Sequence, residues 1–469
     1  MVPAPEERNG EWDAAAQARR AGWAPCESGP SGDAEAGSSG AAPVVLVCGF
    51  LGPANEHWAR RYWGEALALG ARGSPVLVVP VSCVGSCHDR ACEAFAMLRG
   101  CVVDYGEAHA AQHGHSRYGR DYSKQGKHAE WSAARPVHLV GHSLGGNTVR
   151  ELRYLLSVDH FGYGSSASWV RSTTTLSAPL GGSPLTYALG ASEDHSPAKP
   201  VRRFSPGYAL GLSVHLYELL CRRVGLEDWL DLGVSPAGQW GIEEAGFSGW
   251  ARLALTGGAN GGGTPSVCAQ DNAAADMTVL AARQAAARLK LFTQPDLCFE
   301  FNFVASKKGV LGEREHEREH EREHEREHER EGGDQGEGGF SVQSDGNSLF
   351  YRLAIAAKDL AVRIAASHVH HSSWSLATPC GKPLQLDMET HETDGLCPKR
   401  SQYESERFIE WRDLVAAAEG RAKVVPGQYS IMMHGHDHFS IVPLPADAAF
   451  QRDFFHRLFA FLRALPTPG

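Results

Sequence analysis

The sequence predicts an α/β protein, with a mostly parallel central sheet covered by helices on both faces. Three observations predict it. Short apolar runs recur along the chain, helical periodicity fills the intervals between them, and one run, PVHLV at 136–140, leads straight into GHSLGG at 141–146 and then into the helical pattern NTVRELRYLL.

Taken in order, residues 1–40 are rich in Ala, Gly, Ser and Glu without any period and are expected to be disordered. Order begins with PVVLVCGF at 43–50, a buried-strand pattern closing on glycine, and PVLVVPV at 75–81 reads as a second strand. ACEAFAML at 91–98 is helical. The strand 136–140 precedes a helix that groups Val149, Leu152 and Leu156 on one side. STTTLSAP at 172–179, LCFEFNFVAS at 297–306 and YSIMMHG at 429–435 are further strands; 273–292 and a final helix carrying Phe450, Phe454, Leu458 and Leu462 on one face complete the alternation. One ordered domain is expected over 41–465. It is interrupted at about 307–345 by an insertion that holds EREHEREHEREHEREHERE at 313–331. That repeat has no apolar residue and cannot join a core. Its i, i+3 glutamate–arginine pairs, such as Glu315 and Arg318, favour an isolated charged helix, and it reads as an expanded surface insertion. His316, His320, His324 and His328 share one face at i, i+4 and could take up a transition metal adventitiously.

The 469 residues carry a formal charge of −10 with 42% hydrophobic residues, enough for a sizeable core and the wrong sign for a nucleic-acid surface. No apolar run reaches the roughly 20 residues of a membrane span, and the first residues lack a secretory apolar stretch, so a cytoplasmic location is expected. The 11 cysteines are odd in number. Cys48 and Cys298 sit in apolar patterns as buried thiols, Cys83 and Cys87 are close enough in sequence to pair, and a reducing compartment is the expected setting.

Gly141, Ser143 and Gly145 form G-x-S-x-G between strand and helix, the context of a nucleophile elbow. A serine held with its hydroxyl exposed at a sheet's edge needs a strained backbone, and small neighbours let the chain pack that closely. The hydroxyl needs a base, and the base an orienting acid, in the order Ser, Asp or Glu, His. The base belongs in MMHGHDHF, which offers His434, His436 and His438; the acid belongs in LQLDMETHETDG, which offers Asp387 and Asp394. Order and spacing leave these sets open. Two backbone N–H groups should face the developing oxyanion: that of Leu144, after the serine, and that of Phe50, in CGFLG after the first strand.

DRACEAFAMLRGCVVDYGEAHAAQHGHSRYGRDY at 89–122, the elbow segment, STTTLSAPLGGSPL, QWG at 239–241, TDG at 393–395 and DHF at 437–439 together resemble the staphylococcal and thermophilic-bacillus lipases, over about 41–306 and 380–465. The resemblance implies an α/β-hydrolase fold and a serine lipase or carboxylesterase acting on acylglycerols or other long-chain esters at a lipid interface. Ser143 would be the nucleophile, His438 the base and Asp394 the acid, with Phe50 and Leu144 at the oxyanion positions. It also implies one structural zinc held by Asp89, His109 and His115. The expected fourth ligand, an aspartate just before QWG, is Gly238 here, with Asp231 or water as substitute. The family's calcium site has Ser440 in place of a carboxylate, so no calcium is expected there. Cys48 replaces a histidine in the first oxyanion loop, and Leu144 a glutamine; both changes keep the backbone donors. Residues 185–260 would form a lid, with Leu212, Leu216, Leu219 and Leu220 grouped on an amphipathic helix. A phospholipase or acyltransferase could use the same triad, and a catalytically degenerate scaffold would keep the fold without the chemistry.

Overall fold

The structure is a computed structural model. It describes residues 41–69, 75–183, 185–191, 204–224, 247–248, 250–251, 271–292, 298–308, 375–377, 383–385, 392–394, 396–397, 399–403, 405, 407–418, 420, 424–442 and 448–466. The expected disordered segment 1–40, the EREH repeat, the candidate acid Asp387 and the stretch around Gly238 and Asp231 lie outside the described residues.

Strand β1 (Val44–Val47) is flanked by β2 (Val76–Val78) and β5 (Val137–His142), and the sheet continues through β6 (Val170–Leu176), β7 (Phe299–Lys308) and β12 (Gly427–His434) to β11 (Phe408–Ile409). Every pairing along this path is parallel; β10 (Glu392–Thr393) adds to β7 antiparallel. Two short antiparallel pairs stand apart: β3 (Val102–Asp104) with β4 (Tyr118–Asp121), and β8 (Ser375–Ala377) with β9 (Pro383–Gln385). The mostly parallel sheet is therefore as predicted from the apolar runs.

Such a sheet is buried on both faces, so its strands read as continuous hydrophobic runs rather than alternating ones. β1 shows why. Val44 and Leu46 face one core, with Trp63, Phe299, Phe301, Phe303, Phe454 and Phe455; Val45 and Val47 face the other, with Phe95, Trp131, Val149, Leu152 and Leu156. The first core is roofed by α1 (Glu56–Trp63), α2 (Glu65–Leu69) and the last helix, Ala448–Ala464. The second lies under α3 (Cys87–Arg99) and α5 (Leu144–Ser157), with α4 (Glu107–His113) beyond β3. Each fully buried Leu or Phe here contributes about 1.5–3 kcal/mol.

Further along come α6 (Pro206–Val224), α7 (Ala273–Asp276), α8 (Val279–Phe292), α9 (Trp411–Ala418) and the last helix, α10 (Ala448–Ala464). The single helix expected over 273–292 is broken. Asn272 caps α7, accepting from Ala274 N and Ala275 N, and Thr278 starts α8 anew by accepting from Ala281 N. Of the leucines grouped on α6, Leu219 is buried, Leu212 and Leu216 are partly buried, and Leu220 is exposed. Among the described residues, no helix is long and apolar enough to cross a membrane. Cys83 and Cys87 are not joined to each other, so the pairing their spacing allowed is not made.

Candidate active site

The functional side chains gather at the carboxyl ends of the parallel strands, where the loops of an α/β sheet form a crevice. Ser143 follows β5 with φ 53° and ψ −128°, a region that non-glycine residues seldom occupy. The flanking glycines make it possible. A Cβ on Gly141 would sit 2.1 Å from the Gly145 carbonyl oxygen, one on Gly145 would sit 2.3 Å from that of Val47, and one on Gly146 would meet Ala178 Cβ at 2.5 Å. Elbow and first strand thus touch backbone to backbone, and Gly146 lies against the side chains of Ala178 and Thr175.

His438, on the loop after β12, sets Nε2 2.9 Å from Ser143 Oγ, and its Nδ1 lies 2.8 Å from Asp394 Oδ2. Of the three histidines in MMHGHDHF, His438 is the one that meets the serine; His434 is exposed at the end of β12, and His436 stacks on Phe450. Asp394 is fully buried just past β10, and its Oδ1 accepts from the N–H groups of Leu396 at 2.9 Å and Cys397 at 2.7 Å. The His438 N–H donates to the Asp394 carbonyl oxygen at 2.9 Å, so backbone as well as side chain joins the two loops. Gln402 then ties the acid's loop to β7, donating to the Ala305 and Cys397 carbonyls and accepting from Ala305 N. Ser440, where the resemblance has a carboxylate, accepts from Asp437 N at 2.8 Å and donates to Asp437 Oδ1 at 3.0 Å.

Leu144 opens α5, where the first N–H groups have no partner within the helix. Phe50 stands on the loop after β1. This loop is held at several points by residues that sequence reasoning passed over. Arg90, fully buried on α3, donates to the Cys48 carbonyl at 2.5 Å, to the Ser82 carbonyl, and through Nε to Thr148 Oγ1 at 2.9 Å. Leu51 N donates to the Cys83 carbonyl at 2.9 Å, and Gly49 N donates to the Tyr62 hydroxyl at 3.1 Å.

Tyr62 also lies 2.5 Å from His142 Nδ1, and His142 Nε2 lies 2.9 Å from the His438 carbonyl oxygen. A carbonyl can only accept, so His142 carries its proton on Nε2, and the tyrosine hydroxyl donates to Nδ1. Burial, reinforced by the neighbouring His438, pushes His142 down to about 3, which keeps it neutral. The residue inside G-x-S-x-G thereby links the loop that follows β1 to the loop of His438. G-x-S-x-G marks where His142 sits but not what it touches, since both partners are distant in sequence.

Comparisons with known proteins agree with this architecture. Residues 40–162 match the model of the family described as "Lipase-like, C-terminal domain". A lipase of Staphylococcus epidermidis is 36% identical over 172 residues, which cover 32% of this chain and 25% of that protein. Lipase 1 of Staphylococcus aureus is 37% identical over 164 residues, covering 30% of this chain and 24% of that one. The chain resembles bacterial lipases. The matched stretch spans about a quarter of the length of these curated relatives. Among solved structures, the lipase of Staphylococcus hyicus aligns with a TM-score of 0.57 at 18% identity, over 92% of this chain and 98% of that one. EstA from Clostridium botulinum aligns with a TM-score of 0.53 at 22% identity, over 91% and 88%. At such identities the likeness is one of fold, a mostly parallel sheet flanked by helices.

A second constellation of this lipase-like chain lies beside α3 and α4. Asp89, His109 and His115 do converge, and a fourth residue, Asp271, joins them; all four offer donor atoms within 4.8 Å of one another. Asp271 stands next to the cap of α7, whereas residue 238 and Asp231, to which the resemblance pointed, lie outside the described residues. Because His115 Nδ1 donates to the Ser116 carbonyl at 2.8 Å, its Nε2 is left to face the carboxylates, 3.0 Å from Asp271. His109 Nε2 lies 3.1 Å from Asp89 and 3.3 Å from Asp271. Ligand atoms about 2.0–2.1 Å from a tetrahedral zinc stand about 3.3 Å apart, so two carboxylates and two imidazoles at this spacing fit the ion in number, type and charge. Burial and the neighbouring Asp271 raise Asp89 to about 6; burial opposes the protonation of His109, but its hydrogen bonds to Asp271 and Asp89 win and lift it to about 10. Both shifts answer the same surplus of buried negative charge that a divalent cation would neutralise.

Proposed function

We propose that the chain is a serine hydrolase of carboxylic esters, acting on acylglycerols or other long-chain esters through an acyl-enzyme. The observation that carries the reading is the unbroken hydrogen-bonded series from Ser143 through His438 to Asp394, at 2.9 and 2.8 Å, standing on a strained elbow. Ser143 Oγ gives its proton to His438 Nε2 and attacks the ester carbonyl carbon. The resulting oxyanion is met by the N–H groups of Phe50 and Leu144, and Asp394 holds the imidazolium through Nδ1. The alkoxide leaves with the proton from His438. Water then enters, gives a proton to the same nitrogen, and releases the fatty acid.

The long-chain preference is supported by the apolar surroundings of the oxyanion loop. Phe50 packs with Cys83, Val84 and with Leu210 and Leu219 of α6, while Leu51 and Leu220 are exposed. A helix with leucines on both its buried and open sides, set beside the oxyanion loop, suits a flap that opens onto lipid. Asp89, His109, His115 and Asp271 would hold a zinc ion, which, when bound, would tie α3 and α4 to the start of α7 and supply no reacting group.

Hydrolysis of p-nitrophenyl palmitate and butyrate by the purified chain and by Ser143→Ala tests the reading. Cleavage of palmitate by the wild type alone is expected. Cleavage of butyrate but not palmitate would keep the triad and remove the long-chain assignment, and turnover by Ser143→Ala would remove the triad.

A further inference from the structure

A cluster beside the Asp89–His109–His115–Asp271 site is used by none of the chemistry above. His88 and Cys92 are one turn apart on α3, and His160, on the loop after α5, closes on them; the three offer ligand atoms within 4.8 Å of one another. Cys92 is buried, and His88 and His160 are partly so. We propose that His88, Cys92 and His160 form a second metal site, of the His₂Cys type, for a borderline-to-soft transition ion such as zinc.

Geometry supports it first. Cys92 Sγ lies 3.6 Å from His88 Nε2. A tetrahedral zinc with bonds of about 2.3 Å to sulfur and about 2.0–2.1 Å to nitrogen would hold the two about 3.6 Å apart. The rings of His88 and His160 meet edge to face with centroids 5.2 Å apart, and a ring nitrogen of each lies within 4.8 Å of the other and of Cys92 Sγ. His88 Nε2 is also 2.8 Å from the Tyr105 carbonyl oxygen. On ligation its proton passes to Nδ1, and that oxygen or a water takes the fourth position.

Charge supports it next. Burial, followed by the carboxylates of Asp89, Asp104, Glu93 and Glu151, raises the Cys92 thiol well above its ordinary value. Of these, Asp104, Glu93 and Glu151 lie outside the neighbouring site, and a field that opposes a thiolate alone favours a thiolate bearing a divalent cation. The thiol proton leaves to solvent as the sulfur–metal bond forms, with no change of oxidation state. The neighbouring site does not repel this ion, because two aspartates balance a divalent cation there. His88 also lines a cavity of about 540 Å³ that reaches His109, His113 and Asp271. Soft sulfur with imidazole, against oxygen with imidazole next door, gives the two sites different metal preferences.

Cobalt(II) titration of the metal-stripped, reduced full chain distinguishes them, because only ligation by sulfur produces a thiolate-to-cobalt charge-transfer band in the near ultraviolet. The band should appear in the wild type, persist in Asp271→Asn and vanish in Cys92→Ser. In His160→Asn its titration midpoint should rise by more than about tenfold. The histidines of the EREH repeat cannot produce it. No band in the wild type, or a band retained in Cys92→Ser, overturns the proposal. If Cys92→Ser does not fold, His160→Asn decides alone, and an unchanged midpoint in that variant overturns it.

Discussion

At Tyr62 and His142 hydrogen bonds do what the motif alone does not: they couple the loop of Phe50 to the loop of His438. Tyr62→Phe removes the hydroxyl that accepts from Gly49 and donates to His142. The expected result is a fall in kcat of about tenfold with little change in KM, smaller than the 10²–10³-fold cost of losing an oxyanion donor outright. An equal loss in KM alone would make Tyr62 a packing residue. Asp394→Asn keeps the shape of the acid but favours the wrong imidazole tautomer, and steady-state assays should show kcat down by about 10⁴-fold. Gly145→Ala places a methyl 2.3 Å from the Val47 carbonyl oxygen, backbone against backbone, and should abolish soluble folded protein in expression trials. The serine and its glycines were legible in the sequence because the constraint is local steric contact. The choice among His434, His436 and His438 was not, because it depends on which loop residue reaches a serine almost 300 positions away, and only the resemblance singled one out.

Among the elements, the strands of the sheet were the most legible. Burial on both faces writes them as uninterrupted apolar runs, and the helix after the elbow shows its buried stripe as Val149, Leu152 and Leu156. The short β3–β4 pair was not visible, since VVD and YGRD carry no pattern that a loop could not carry. The break between α7 and α8 was missed because Thr278 reads as a tolerable helix interior until its hydroxyl is seen capping Ala281. Asp271 was missed for a different reason: it is 162 residues from His109, and nothing local to AQDN announces a ligand. Metal content by atomic emission should fall by about one equivalent in Asp271→Asn. Zinc should raise the melting temperature of the wild type and raise it much less in this variant, as binding to the folded state alone requires. Equal metal content and equal melting curves would contradict the four-residue site.

For the whole molecule, buried neutral histidines set a response to acid. His138 and His142 lie on β5, inside the sheet, and burial lowers both to about 3 from an ordinary 6.5. The unfolded chain takes up these protons near 6.5, whereas the folded chain refuses them until about 3. Stability is therefore fully present above about pH 6.5 and is lost as pH falls from there toward 3, with a slope on the order of 1.4 kcal/mol per pH unit for each histidine. Urea unfolding of His138→Gln at pH 7 and pH 5 should show a smaller acid loss than the wild type, and an identical loss would mean that His138 is solvated in the folded state. The same packing that raises this cost presses the elbow between β1, β5 and β6. Labelling the folded chain with a long-chain fluorophosphonate and mapping the adduct by mass spectrometry tests the proposed nucleophile directly. One adduct per chain is expected, on Ser143, formed far more slowly in Asp394→Asn. An unlabelled Ser143 in folded protein, or an adduct on another residue, would contradict it.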